Sequence, residues 1–197
     1  KVGTIFTHGD PQSNLNNQLA GVDLNLRSSN WWNEQSVSWH GFYMTSDDEN
    51  ENSDDVIGTH FTFPNYPFRA SGHWVRTGDN FNPALGFVRR RGGESTGLDF
   101  TYYFEQPENE LLEDISVGAE YDRYEWLDGD LDSDELEINL IGIRTLAGDF
   151  LGLEVEFERD ILQEPFEIVD EVIIPTSEYK GIDFELELRS SSNRPVF

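Results

Sequence analysis

The chain has no cysteine in its 197 residues, which excludes disulfides and thiolate metal sites. It also has no run of about eighteen apolar residues, which excludes a transmembrane helix. A membrane-spanning β-barrel is not excluded, because its strands signal by alternation rather than by solid apolar runs. No stretch has the basic start, apolar centre and small-residue cleavage site of a secretory leader. Basic residues are scarce, 13 against 39 acidic ones, for a net charge of −26. A field of that sign repels nucleic acid and anionic lipid surfaces and attracts cations, so no nucleic-acid partner is expected. Motifs of chemistry are missing too: no phosphate loop, no dinucleotide fingerprint, no His-Glu-x-x-His.

What the chain does have is a period of two. Val22, Leu24 and Leu26 alternate with Asp23, Asn25 and Arg27. Leu98, Phe100, Tyr102 and Phe104 alternate with Asp99, Thr101, Tyr103 and Glu105. The same holds for Ile115 to Asp122, Leu151 to Glu158, and Ile182 to Arg189. Successive side chains of a strand point to opposite faces, so each segment has one apolar and one polar face. Only Leu136 to Leu146 has apolar residues on both faces; Gly142, Gly148 and the β-branched Ile138, Ile141 and Ile143 argue for a strand there too. Aromatics at 13% argue for a folded object despite the charge.

Turn chemistry divides the strands. Compact breaks are expected at Gly9-Asp10-Pro11, Asn65-Tyr66-Pro67, Gly92-Gly93, Ala147-Gly148-Asp149 and Pro175-Thr176-Ser177. Longer polar connections are expected at Ser28 to Gln35, Ser46 to Asp55, Gln106 to Glu110 and Leu127 to Asp134. The result is an all-β chain, a single domain over 1–197, with roughly ten to twelve strands of about nine to eleven residues in an antiparallel up-and-down meander. The chain opens at Lys1 and closes on Arg194-Pro195-Val196-Phe197 without a final strand, so a mature chain or a piece of a larger barrel is expected.

Alternation also suits a soluble sandwich. Three features favour an outer-membrane-type β-barrel. The strands are long for a sandwich. Aromatics stand near strand ends: Trp31, Trp32, Trp39, Phe61, Phe63, Trp74, Tyr102, Tyr103 and Trp126. The polar faces carry charges with few opposite partners, which a water-filled lumen tolerates.

Two segments also resemble a known family. One is Val2-Gly3-Thr4-Ile5-Phe6-Thr7-His8-Gly9-Asp10-Pro11 with Leu19-Ala20-Gly21-Val22-Asp23-Leu24-Asn25-Leu26-Arg27. The other is Gly78-Asp79-Asn80-Phe81-Asn82-Pro83-Ala84-Leu85-Gly86-Phe87-Val88-Arg89-Arg90. Both resemble the barrel region of a domain-of-unknown-function family of diderm bacteria, in which a family 9-like carbohydrate-binding module precedes a long outer-membrane barrel. The resemblance implies an outer-membrane location and a barrel architecture. It implies no reaction.

Candidate sites follow. Asn82-Pro83 should turn the chain, with Asp79, Asn80 and Asn82 capping it. Arg89, Arg90 and Arg91 are the one basic cluster. These six residues either bind an anionic or sugar ligand or tie neighbouring strands together, since buried charge normally finds a partner. Asp128, Asp130, Asp132 and Asp134 open like a calcium loop, but Ser133 stands where glycine is needed and Asn139 where the closing glutamate belongs. Loose Ca2+ binding or a solvated acidic loop are the two readings; no other cofactor is expected. The Asp47, Asp48, Glu49, Glu51, Asp54 and Asp55 cluster has the same two readings. Glu154, Glu156, Glu158, Asp183, Glu185 and Glu187 lie on regular strands and single out no catalytic pair, so no enzyme is expected. His8, His40, His60 and His73 could meet only across strands.

Three functions fit. The first is an outer-membrane barrel acting as pore, transporter or export scaffold, with lipid as its partner and other subunits or an oligosaccharide as further candidates. The second is a soluble acidic sandwich or jelly roll that binds carbohydrate. The third is a structural subunit of a cell-surface assembly with fixed protein partners.

Overall fold

A computed structural model describes residues 1–11, 16–48, 53–105, 110–169 and 172–191. Glu49, Glu51, most of the Gln106 to Glu110 connection and the Arg194 to Phe197 end lie outside the described residues. The described residues form twelve strands and no helix: β1 (Val2–His8), β2 (Asn17–Trp31), β3 (Gln35–Asp48), β4 (Asp54–Pro64), β5 (Phe68–Thr77), β6 (Gly93–Glu105), β7 (Leu112–Trp126), β8 (Leu131–Thr145), β9 (Phe150–Leu162), β10 (Phe166–Val169), β11 (Val172–Ile174) and β12 (Ser177–Arg189). Ten of them make one antiparallel meander in the order β1-β2-β3-β4-β5-β6-β7-β8-β9-β12; β10 and β11 form a separate hairpin. The sheet's order ends on β1 and β12, and no pairing among the described residues closes it.

The strands are longer than the sequence suggests. β2, β7 and β8 each have 15 residues. Two expected long connections are short instead. The Ser28 to Gln35 stretch shrinks to residues 32–34, where Asn33 and Glu34 take positive φ. The Leu127 to Asp134 stretch shrinks to residues 127–130, turned at Gly129 with φ 92°. Polarity alone misplaces these ends, because a polar residue on a strand's solvated face looks the same as one in a loop.

Successive connections of a meander fall at alternate ends of the strands. One end takes residues 9–16, 49–53, 78–92, 127–130 and 163–176, which include the three longest connections. The other takes 32–34, 65–67, 106–111 and 146–149, none longer than six residues.

Packing groups the chain into two compact units. The first comprises Lys1–Phe63, Ser71–Gly97 and Tyr124–Leu131. In it Leu24 pairs with Val2 and Gly41, Val22 with Thr4 and Tyr43, Leu26 with Trp39, and Tyr43 and Trp39 with Ile57 and Phe61. These residues share one face, and it is open: Val2 is 71% exposed, Phe6 67% and Leu26 53%. The opposite face carries Asp23, Asn25, His40, Ser46, Asp48, Asp54 and His60. The buried cluster of this unit, Leu19, Val56 and Phe81, lies on that polar face.

The second unit comprises Pro64–Ala70, Leu98–Arg123 and the chain from Asp132 onward. Here β9 pairs with β8 and β12 so that Leu151, Leu153, Val155 and Phe157 stand opposite Leu188, Leu186, Phe184 and Ile182. The two-faced apolar pattern of Leu136 to Leu146 now has a cause. A bulge between Asn139 and Ile141 takes Leu140 out of register. One extra residue reverses the alternation. Leu136, Ile138, Ile141 and Ile143 therefore all meet the same apolar row, Phe157, Val155, Leu153 and Leu151.

Candidate functional site

The connection between β5 and β6, residues 78–92, folds onto the polar face of the first unit. Phe81 is its anchor, only 2% exposed, buried with Leu19 and Val56 and packed by Phe42, Met44, Val75 and Val88. Gly58 makes room for the Phe42 ring, which lies where a β-carbon would stand. The loop's backbone is then tied down. Gly78 donates to the Asp55 carbonyl at 2.9 Å, Asn80 N–H to Asp54 Oδ2 at 2.9 Å, and Gly92 N–H to the Gly78 carbonyl at 3.3 Å.

Asn82 is the hub. Its N–H donates to Ser46 Oγ at 2.8 Å, and its Nδ2 to Asp48 Oδ2 at 3.0 Å. Its carbonyl accepts from Asn17 Nδ2 at 2.8 Å, and its Oδ1 from an Arg91 guanidinium nitrogen at 2.9 Å. Asn17 and Ser46 are buried, and Asn82 itself is half-buried. A polar group shielded from water has to fill its hydrogen bonds or lose stability, so this one position locks the loop to β2 and β3. On the other side, Tyr124 of β7 donates its hydroxyl to the Arg91 carbonyl at 3.2 Å, and Leu127 N–H reaches the Gly92 carbonyl at 3.0 Å. Arg90 lies over the Tyr124 ring, 4.8 Å from its centroid.

The six residues singled out from the sequence thus belong to one loop. Asn80, Asn82 and Arg91 fasten it, Asp79 packs against Gly92, Arg90 stacks on an aromatic, and Arg89 is exposed. Phe81 had escaped the sequence reading. Its signal was present, since Leu19, Phe42, Met44 and Val56 are apolar at positions whose alternation assigns them to the polar face.

The calcium-like run is not one cluster. Asp128 Oδ1 accepts from Asp130 N–H at 3.0 Å, an Asx turn that closes the β7–β8 hairpin with Trp126 N–H bonded to the Asp130 carbonyl. Asp132 and Asp134 lie within β8, and Asp134 pairs with Arg159 across to β9, with Arg159 Nε 2.9 Å from Asp134 Oδ1. No three acidic or histidine side chains among the described residues gather as a metal-holding group. His40 and His60 do meet, directly opposite each other on β3 and β4, and Asp23 stands 3.9 Å from His40 Nε2. Replacing Arg159 with Met should lower stability only slightly, since the pair is partly solvated, and urea unfolding would measure it.

On the second unit's polar face, like charges stand in register. Glu135 faces Glu158; Glu137 faces Glu156, which faces Asp183; Glu154 faces Glu185. Carboxylates directly opposite one another destabilise a sheet unless water or cations screen them.

Compared with family models, with curated proteins and with solved structures, the chain matches none.

Proposed function

We propose that this chain forms the wall of an outer-membrane-type β-barrel and serves as a passage for solutes, with its apolar face toward lipid and its polar face toward a water-filled lumen. The observation that carries this reading is the placement of large, exposed apolar side chains on one face, in register from strand to strand, while the buried cluster sits on the polar face. A soluble sandwich would bury the apolar face against a second sheet. The three longest connections share one end, which suits the outer side of such a barrel. The family-like segments, Val2 to Pro11 with Leu19 to Arg27, and Gly78 to Arg90, point the same way.

Fractionation of the protein from a diderm host tests the reading. It should partition with the outer membrane, need detergent for extraction and migrate differently on a gel before and after heating. A monomer that stays folded in plain buffer would refute it. If that monomer also changed its tryptophan fluorescence with oligosaccharide, it would be a soluble carbohydrate binder instead; copurification with a fixed partner would mark a surface-assembly subunit.

A lumen lined by the carboxylate rows should favour cations. Reversal potentials across a salt gradient should show this preference. Changing Glu137, Glu156 and Asp183 to their amides should weaken it.

A further inference from the structure

The loop of residues 78–92 does more than join two neighbouring strands. It holds together strands that are not neighbours: Asn82 is bonded to Asn17 of β2 and to Ser46 and Asp48 of β3, and Arg91, next to Asn82 through its guanidinium, is bonded to Tyr124 of β7. In the sheet, β3, β4, β5 and β6 lie between β2 and β7. The loop thus crosses the polar face as a strap, fixed at both sides and pinned between them by Phe81. The residues it bonds on this face are among the most buried of those described, with Asn17 of β2 1% and Ser46 of β3 2% exposed. Most long loops of a solvated surface have few such ties and are free to move. This one spends a buried aromatic, a half-buried amide and both flanking glycines on staying in place.

We propose that the 78–92 strap is a fixed constriction: it narrows the passage along the polar face and sets the largest solute that enters, and it remains seated while solutes pass. The inference rests on the passage reading above. The strap's position follows from its own hydrogen bonds; only its consequence for permeation depends on the barrel.

The absence of native cysteine makes the test clean. Ser46→Cys with Asn82→Cys replaces the Ser46 hydroxyl, which accepts from the Asn82 main-chain N–H, and the Asn82 side-chain bonds to Asp48 and Arg91 with a redox-controlled link. The full chain, folded in detergent, would be placed in planar bilayers and its unitary conductance recorded, along with the largest neutral polymer that blocks it by entering. The heat-shifted band on a gel reports for each variant that the barrel is folded. With the disulfide formed, conductance should match the wild-type value. After reduction, with the hub lost, conductance and the entering polymer size should both rise. Asn82→Ala, which needs no oxidation and removes the side-chain bonds to Asp48 and Arg91 while leaving the main-chain bonds to Ser46 and Asn17, should shift conductance and polymer size in the same direction. Equal conductance in the oxidised, reduced and Asn82→Ala proteins would overturn the constriction. An oxidised protein that conducts less than wild type would overturn the fixed seat, since the native strap would then have to move. A wild-type protein that folds into bilayers and yields no channels would refute the passage reading itself, and the constriction with it. That failure is distinct from the others because it appears before any substitution is made.

Discussion

Arginine at Leu24 or at Phe184 is expected to cost the bilayer-folded protein about 2–4 kcal/mol, the penalty for a cation on the lipid face near the membrane midplane. Both positions are central in long strands: Leu24 is the middle residue of β2, and Phe184 is one step from the middle of β12. Phe184 is 74% exposed and its row, with Leu153, Val155 and Leu186 around it, is apolar. In water these substitutions would do the opposite. An exposed apolar residue replaced by a charge away from the core usually changes stability by less than about 0.5 kcal/mol and improves solubility. Asn25→Arg, one residue along from Leu24 and on the polar face, should be nearly silent in a bilayer. Urea titration of folding into lipid vesicles measures all three. Leu24→Arg and Phe184→Arg matching Asn25→Arg would remove lipid from the apolar face, and with it the main support for a membrane barrel.

Phe81→Ala should destabilise the strap by about 3–5 kcal/mol, the usual loss for truncating a buried aromatic. Leu19, Val56, Phe42, Met44, Val75 and Val88 surround the ring and cannot close over the space it leaves, because most are held on strands. The loss should appear locally. The strap can detach while the sheet stays paired, so the amides of Gly78, Asn80 and Asn82, each bonded to the sheet, should exchange faster by about a hundredfold or more, at one decade per 1.4 kcal/mol. Phe87→Ala is the control: Phe87 lies in the same loop, is 88% exposed and should matter little. Equal exchange in the two variants would mean that Phe81 is not the anchor.

That contrast also shows where the sequence stops being informative. Phe81 stands between two asparagines and Phe87 between glycine and valine, and nothing in those neighbours tells which ring is inside. Burial of a loop residue depends on what faces it, and the faces of β2, β3 and β4 become known only through their register. The same limit applied to the acidic run. Asp128 and Asp134 look alike in sequence, yet one closes a turn and the other pairs with Arg159, because the hairpin ends at Leu131 rather than after Asp134. The arginine cluster was legible as a distinctive element and not as a set of contacts: Arg90 found a ring on the distant β7, and Arg91 an amide of its own loop that only the loop's fold brings beside it.

The all-β character, the antiparallel meander and the existence of one apolar and one charged face were determined by the sequence alone, since a period of two is a local property that neighbours in the chain impose on one another. Strand ends, the bulge that takes Leu140 out of step, and the path of residues 78–92 onto the polar face were decided by the tertiary structure. Each of these depends on pairing between residues far apart in sequence: a bulge exists only relative to the strand opposite it, and a loop folds onto a face only where side chains across the sheet leave an apolar seat and unfilled hydrogen bonds to receive it.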